Sequence, residues 1–301
     1  MDPNTLQTAK NLIHTLERIY LPEARERLKN LIDGDIIVRQ GGAFGDHRFD
    51  TDIRADLVLG QFLAASILSD SKSRFFSNIG HITVESGMDR VTNQGDLWVT
   101  IDPLDGSLNY KCKGDTAGFP YTVCITVLAK KEDATFNDIV AGIVYDLRNG
   151  DLWVAMRQED GTFETTINGN KAHMHRMDTV DLGTSIIIAE MYYVDNREIV
   201  ARAFHDQKGW LRSPGSAAYE MASVASGQAT AFICGTQKQH ELGAGYALVK
   251  GAGGVAVDWD GVDLGPRPFT FKDQTPVILA STPSLAVELV IRLNRAIKDR
   301  G

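Results

Sequence analysis

The chain has 301 residues, 43% of them hydrophobic and 23% charged, and a formal net charge of −8. That length allows a sizeable core, as one large domain or two closely packed lobes. No apolar run approaches the roughly 20 residues of a membrane span, and no long basic stripe offsets the acidity, so neither a membrane nor nucleic acid is an expected partner.

In chain order, Asp2 then Pro3 reads as a helix cap followed by proline at the first helical position. Leu6, Ile13, Leu16, Ile19 and Tyr20 recur at helical spacing, and a second helical stretch covers 24–31. Residues 35–39 are strand-like, 41–45 a glycine-rich loop, and a helical pattern starts at Asp52. Apolar runs at 81–84, 97–101, 121–129 and 138–146 predict strands. Asn149-Gly150, Asp160-Gly161 and Asn168-Gly169 predict hairpin turns.

After about residue 180 the rhythm becomes strand–helix alternation. Strands are expected at 185–189, 229–234, 255–257 and 277–280, and helices at 195–206, 215–225, 240–251 and 283–298. We therefore expect an N-terminal α+β lobe over 1–180 and a smaller C-terminal α/β lobe over 181–301. Cys112, Cys124 and Cys234 form an odd set without metal-type spacing, so no disulfide is expected. The start of the chain has neither the basic region nor the apolar stretch of a signal peptide, which predicts a cytoplasmic protein.

The chemistry concentrates at residues 101–110, Ile-Asp-Pro-Leu-Asp-Gly-Ser-Leu-Asn-Tyr. Asp102 and Asp105 are held close by Pro103, and a Gly-Ser pair opens what reads as a short helix. Asp, Pro and Gly also make ordinary turns. Two carboxylates this close, however, repel unless cations or protons intervene, and such a segment can hold hard divalent cations beside a phosphate. Glu85 ends another apolar run; if the two strands are neighbours, Glu85 and Asp102 leave the same sheet edge. Glu241, in Gln239-His240-Glu241-Leu242-Gly243, reads either as a carboxylate favoured by a helix N-terminus or as a third member of the set. His240 by itself reads as a structural histidine. His173 and His175 read as surface residues.

These motifs resemble the inositol monophosphatase family of lithium-sensitive, magnesium-dependent phosphatases, which includes fructose-1,6-bisphosphatases. The family motif DP[IL]DG[TS]xN is Asp102 to Asn109, its Glu-Glu pair is Val84-Glu85, and its WD…AGG block is His240-Glu241…Ala252-Gly253-Gly254. Its GSA element is Gly215-Ser216-Ala217, and its upstream T-x-x-D aspartate falls at Asp52. The resemblance spans roughly 45–260.

It implies a layered α-β-α-β-α sandwich of the sugar phosphatase type, often in a homodimer, and two Mg²⁺ per site with a third possible. Glu85, Asp102 and the Leu104 carbonyl would hold one ion; Asp102, Asp105 and Glu241 the second. Ser107, oriented by Asp52, would help activate the attacking water. Leu104, Asp105, Gly106 and Ser107, with Gly215 and Ser216, would bind the substrate. The implied activity is hydrolysis of a phosphorylated cyclitol, sugar or polyol. Fructose-1,6-bisphosphatase or nucleotide 3′-phosphatase activity is the alternative, and a non-catalytic metal- or ligand-binding protein is a third reading.

The chain departs from the family pattern at several places. Val84 stands for the first Glu of the pair, Ser107 for the commoner Thr, His240 for Trp and Glu241 for Asp. Cys234 stands where inositol-specific members carry a substrate-binding Glu, and a thiol is a weak acceptor for sugar hydroxyls. A loop extension brings Lys111 and Lys113 beside the phosphate motif. Two added cations there read either as an ordinary solvated loop or as contacts to a second anionic group on a larger substrate.

Overall fold

The computed structural model describes residues 2–29, 38–40, 47–49, 56–71, 78–85, 88–92, 95–113, 118–172, 174, 181–206 and 210–300. Two helices, α1 (Pro3–Thr15) and α2 (Leu21–Lys29), are joined through a π-helical turn at Leu16–Tyr20. The Asp2 carboxylate accepts the Thr5 N–H at 3.1 Å, so the cap expected from Asp-Pro is formed. Strands β1 (Val38–Gln40) and β2 (His47–Phe49) pair as a small ribbon, and α3 (Gln61–Ser71) follows a π turn at Asp56–Gly60.

An eight-stranded sheet comes next: β3 (Ile79–Val84), β4 (Asp89–Val91), β5 (Leu97–Asp105), β6 (Thr122–Leu128), β7 (Ile139–Asp146), β8 (Leu152–Arg157), β9 (Phe163–Ile167) and β10 (Asn170–Lys171), in the order β10-β9-β8-β7-β6-β5-β3-β4. Only β3 and β5 are parallel neighbours. The short helix α4 (Ser107–Lys113) leaves the end of β5. All three expected turns carry the left-handed residues that such turns need: Gly150, Gly161 and the Asn168-Gly169 pair.

The second sheet has five strands in the order β12-β11-β13-β15-β14: β11 (Ile186–Ala189), β12 (Trp210–Arg212), β13 (Ala231–Lys238), β14 (Val255–Val257) and β15 (Gln274–Ala280). Its helices are α5 (Val194–Ala203), α6 (Ala217–Ala225), α7 (Gln239–Gly251) and α8 (Pro283–Lys298).

Alternation along the strands explains the layers. Val123, Ile125 and Val127 face a core shared with Leu12, Leu16, Leu63 and Ile67 of the N-terminal helices. Cys124 and Leu128 face the opposite way, into a core with Met221, Leu242 and Leu248 of α6 and α7 and with Phe232 and Leu279 of the second sheet. Ile187, Ile233 and Ile278 pack outward on Val200, Leu289 and Leu293 of α5 and α8. The order is therefore helices, sheet, helices, sheet, helices, the layered α+β arrangement that the motifs imply. Because α6 and α7 lie between the two sheets, the central strands β5, β6 and β7 are covered on both faces.

Close approach of α7 to the large sheet depends on small residues. A Cβ built on Gly142 of β7 would lie 2.7 Å from the Ala244 Cα and 2.8 Å from its carbonyl oxygen, both backbone atoms of α7. Neither neighbour can rotate away. Gly142→Ala is expected to cost about 2 kcal/mol through overpacking, read as a lower urea midpoint at unchanged slope.

Candidate active site

The site forms where the strand ends of the large sheet meet the N-termini of α6 and α7. Val84 and Ile101 are paired neighbours in β3 and β5, and the Glu85 N–H donates to the Ile101 carbonyl at 3.0 Å. Glu85 and Asp102 therefore leave the same edge side by side, as their positions after two apolar runs suggest.

Asp102 and Asp105 are three residues apart, an odd spacing that would send them to opposite faces of a regular strand. They face the same side because β5 bulges between them. Asp102 opposes Cys124 and Asp105 opposes Thr122, three steps on one strand against two on the other. One inserted residue reverses the alternation. The Leu104 N–H turns back to donate to Asp102 Oδ1 at 3.0 Å, closing the bulge. Proline at 103 removes a donor that this bend could not use.

Asp105 is nearly enclosed. Its Oδ2 accepts from Ser216 Oγ at 2.6 Å, from the Ala218 N–H at 2.8 Å and from Thr122 Oγ1 at 3.3 Å, and its Oδ1 accepts from the Ala217 N–H at 3.2 Å. The first turn of α6 thus clamps this carboxylate. Ser216, read from sequence as a substrate contact, is 1% exposed and spends its hydroxyl on Asp105. Gly215 donates its N–H to Glu220 Oε1 at 2.7 Å. Asn109 of α4 ties the same corner together, its side-chain NH₂ donating to the Pro120 and Pro214 carbonyls at 2.7 and 2.9 Å.

Glu241 enters from the first turn of α7, where Gln237 Nε2 donates to its Oε2 at 2.5 Å. The Lys238 ammonium lies 3.2 Å from Glu85 Oε1 and 4.0 Å from Glu241 Oε1. His240 is fully buried, stacked on Phe271 with ring centroids 4.7 Å apart. Burial pushes its pKa down to about 4, so the ring is neutral. Its Nδ1 lies 3.2 Å from the Phe271 carbonyl, which can only accept, so Nδ1 carries the proton.

Among the described residues, two groups place their donor atoms within 4.8 Å of one another: Glu85, Asp102 and His240, and Asp102, Asp105 and Glu241. Asp102 belongs to both. Burial raises the pKa of Asp102 well above the ordinary carboxylate value, with Glu85, Glu241 and Asp105 adding repulsion. Burial likewise raises Asp105, against the hydrogen bonds that favour its charge, and pushes Glu241 up to about 8. Four carboxylates packed this way, with one ammonium among them, are the oxygen-rich, charge-deficient donor set that divalent cations satisfy. The residues present fit such ions.

A pH dependence follows. A carboxyl whose folded pKa is raised stabilises the fold fully below its unfolded value of 4.5, and that contribution is lost as pH rises through about 8. The melting temperature in chelator is expected to fall between pH 5 and 8.5, and divalent cation to flatten the fall. A rising melting temperature in chelator would contradict this reading.

Asp52, His173 and His175 lie outside the described residues, as do the side chains of Lys111 and Lys113. Gly106 and Ser107 sit at the junction of β5 and α4, with Gly106 at φ +81°. Val84 points into the core with the N-terminal helices and offers no oxygen to the site. Cys234 is buried, with its sulfur receiving the Thr236 N–H and the Asn196 NH₂. Sequence reading missed Thr122, Gln237 and Glu220, and it read Ser216 and His240 in other roles. An acidic residue at the start of α6 and the polar run Gln237-Lys238-Gln239 before Glu241 were the available signals.

Buried carboxylates gathered at strand ends of an α-β-α-β-α sandwich define a metal-dependent phosphatase class. The chain belongs to the inositol monophosphatase family, whose family model matches residues 45–298. It is 30% identical over 207 residues to the fructose-1,6-bisphosphatase/inositol-1-monophosphatase of Archaeoglobus fulgidus, covering 66% of this chain and 70% of that protein. It is 28% identical over 200 residues to the Nus factor SuhB of Escherichia coli, covering 66% of this chain and 70% of that one. In fold it matches the IMPase of Thermotoga maritima with a TM-score of 0.74 at 18% identity, over 96% of this chain and 99% of that chain.

Proposed function

We propose that the protein is a divalent-cation-dependent phosphomonoesterase acting on a phosphorylated sugar, cyclitol or polyol. The observation that carries this reading is the pair of overlapping donor groups sharing Asp102. Glu85, Asp102 and the Leu104 carbonyl would hold one cation, and Asp102, Asp105 and Glu241 a second, with Mg²⁺ the ion that the family motif implies. Bound there, the cations would neutralise phosphate charge and lower the pKa of water.

The chain's own groups do the rest. The Gly106 and Ser107 N–H groups would bind the phosphate, and the Ser107 hydroxyl with Asp52 would help activate the attacking water, as the family motif implies. The α6 clamp of Ser216, Ala217 and Ala218 fixes the direction of Asp105 and opposes the protonation that burial favours there. The catalytic contribution is positioning and charge neutralisation, as phosphoryl transfer requires.

The buried thiol of Cys234 supplies no carboxylate for inositol hydroxyls, which favours a sugar or polyol ester over myo-inositol phosphate. Lys111 and Lys113, on the last turn of α4, favour a substrate with a second anionic group, and a bisphosphate meets that. We read the active form as a cytoplasmic homodimer. The likeness to a Nus factor raises a second reading, a regulatory protein that binds metal or ligand without turnover.

A panel of sugar, polyol, inositol and nucleotide phosphates, assayed for phosphate release with Mg²⁺ or Mn²⁺ and with chelator, separates these. Cation-dependent turnover of a sugar or polyol ester is the expected result. Absence of turnover on every ester would favour the regulatory reading.

A further inference from the structure

We propose that His240 is a nitrogen ligand to the cation held by Glu85 and Asp102, and that this position takes a first-row transition cation in preference to Mg²⁺, with Mn²⁺ as its paramagnetic probe. The proposal rests on the metal-dependent reading above and adds a donor where the family motif has Trp.

Three observations carry it. First, the ligand atoms of Glu85, Asp102 and His240 lie within 4.8 Å of one another. Donors at about 2.1–2.2 Å from one octahedral ion are separated by about 3 to 4.4 Å, so small adjustments close the set. Second, Nδ1–H is committed to the Phe271 carbonyl at 3.2 Å, which leaves the Nε2 lone pair on the side of the carboxylates. An imidazole whose far N–H is tied to a carbonyl is the usual outer support of a metal-bound histidine. Third, the ring is held from rotating: it is 0% exposed and stacked on Phe271 at an interplanar angle of 19°.

The Nε2 atom lies 3.7 Å from Glu241 Oε1, on the carboxylate side of the ring. The donor set decides the ion. Mg²⁺ favours oxygen ligands only, whereas imidazole suits the later divalent cations. The Lys238 ammonium contacts Glu85 at 3.2 Å and must leave as a cation arrives; its side chain is 19% exposed, so a path to solvent is open.

The test is pulsed electron paramagnetic resonance on metal-free protein given substoichiometric Mn²⁺. The expected spectrum shows ¹⁴N coupling of a directly bound imidazole, converted to ¹⁵N coupling when histidine is ¹⁵N-labelled. His240→Phe is expected to lose the coupling and to weaken Mn²⁺ binding about tenfold, with Mg²⁺ binding changed less than about twofold. His240→Gln serves in the same way if the Phe variant does not fold. Bound Mn²⁺ with no nitrogen coupling in the unaltered protein would overturn the proposal, as would coupling that survives in a folded His240 variant. Failure of Mn²⁺ to bind at all would overturn the metal-dependent reading itself.

Discussion

Asp102→Asn is expected to lower turnover about a thousandfold and, in chelator, to raise the melting temperature. Both effects come from one carboxylate. Asp102 is 1% exposed, and its charge faces Glu85, Glu241 and Asp105. In the Asn variant the amide oxygen can still accept the Leu104 N–H, so the bulge in β5 keeps its closing bond. The amide NH₂ then points at carboxylates as a donor, which replaces repulsion by attraction in the metal-free protein. Toward a cation the same NH₂ presents hydrogens instead of an oxygen pair. Loss of the shared ligand removes support for both ions at once, about 4 kcal/mol of transition-state stabilisation, or about a thousandfold in kcat. A carboxylate serving the fold alone would behave oppositely: its removal would lower the melting temperature and spare the rate. Steady-state kinetics beside thermal melts in chelator distinguish the two.

The second large effect is expected at Gly106. Its φ of +81° is the left-handed conformation that glycine adopts without steric cost. A Cβ there would also lie 2.8 Å from Ser216 Cβ and 2.9 Å from the Pro120 carbonyl oxygen. Gly106→Ala therefore combines backbone strain with a collision against the residue that clamps Asp105. A loss of about 3 kcal/mol in unfolding free energy is expected from the two together. Relief of the collision requires α4 to move away from α6, so the rate should fall further than stability alone explains. Chemical denaturation at unchanged slope, with kinetics measured where the variant is folded, checks both parts. A variant as stable and as active as the parent would show that the corner is not tightly built.

The large sheet was legible because its central strands are apolar on both faces and so read as continuous runs, and because glycine or asparagine marks its hairpins. The edge strands Asp89–Val91 and Trp210–Arg212 were not: they are short and exposed, and pairing alone makes them strands. The phosphate motif was legible as a unit, since Asp-Pro-Leu-Asp-Gly-Ser needs no distant partner to be recognised. What completes it was not. The bulge that turns Asp102 and Asp105 to one side breaks the two-residue period on which strand reading depends. Ser216 read as a substrate contact because it matches the family's GSA element, and nothing local shows that Asp105 comes within reach of it. His240 looked structural because its neighbours in sequence say nothing of Glu85 and Asp102, which reach it only through the packing of α7 on the β3–β5 edge.

The central claim is that two cations share Asp102. Anomalous diffraction from crystals grown with Mn²⁺ tests it most directly. Two peaks are expected, one within about 2.2 Å of Glu85 and Asp102 oxygens and one within the same distance of Asp102, Asp105 and Glu241 oxygens. Peaks that leave Asp102 unbound, or no peak between these carboxylates, would contradict it.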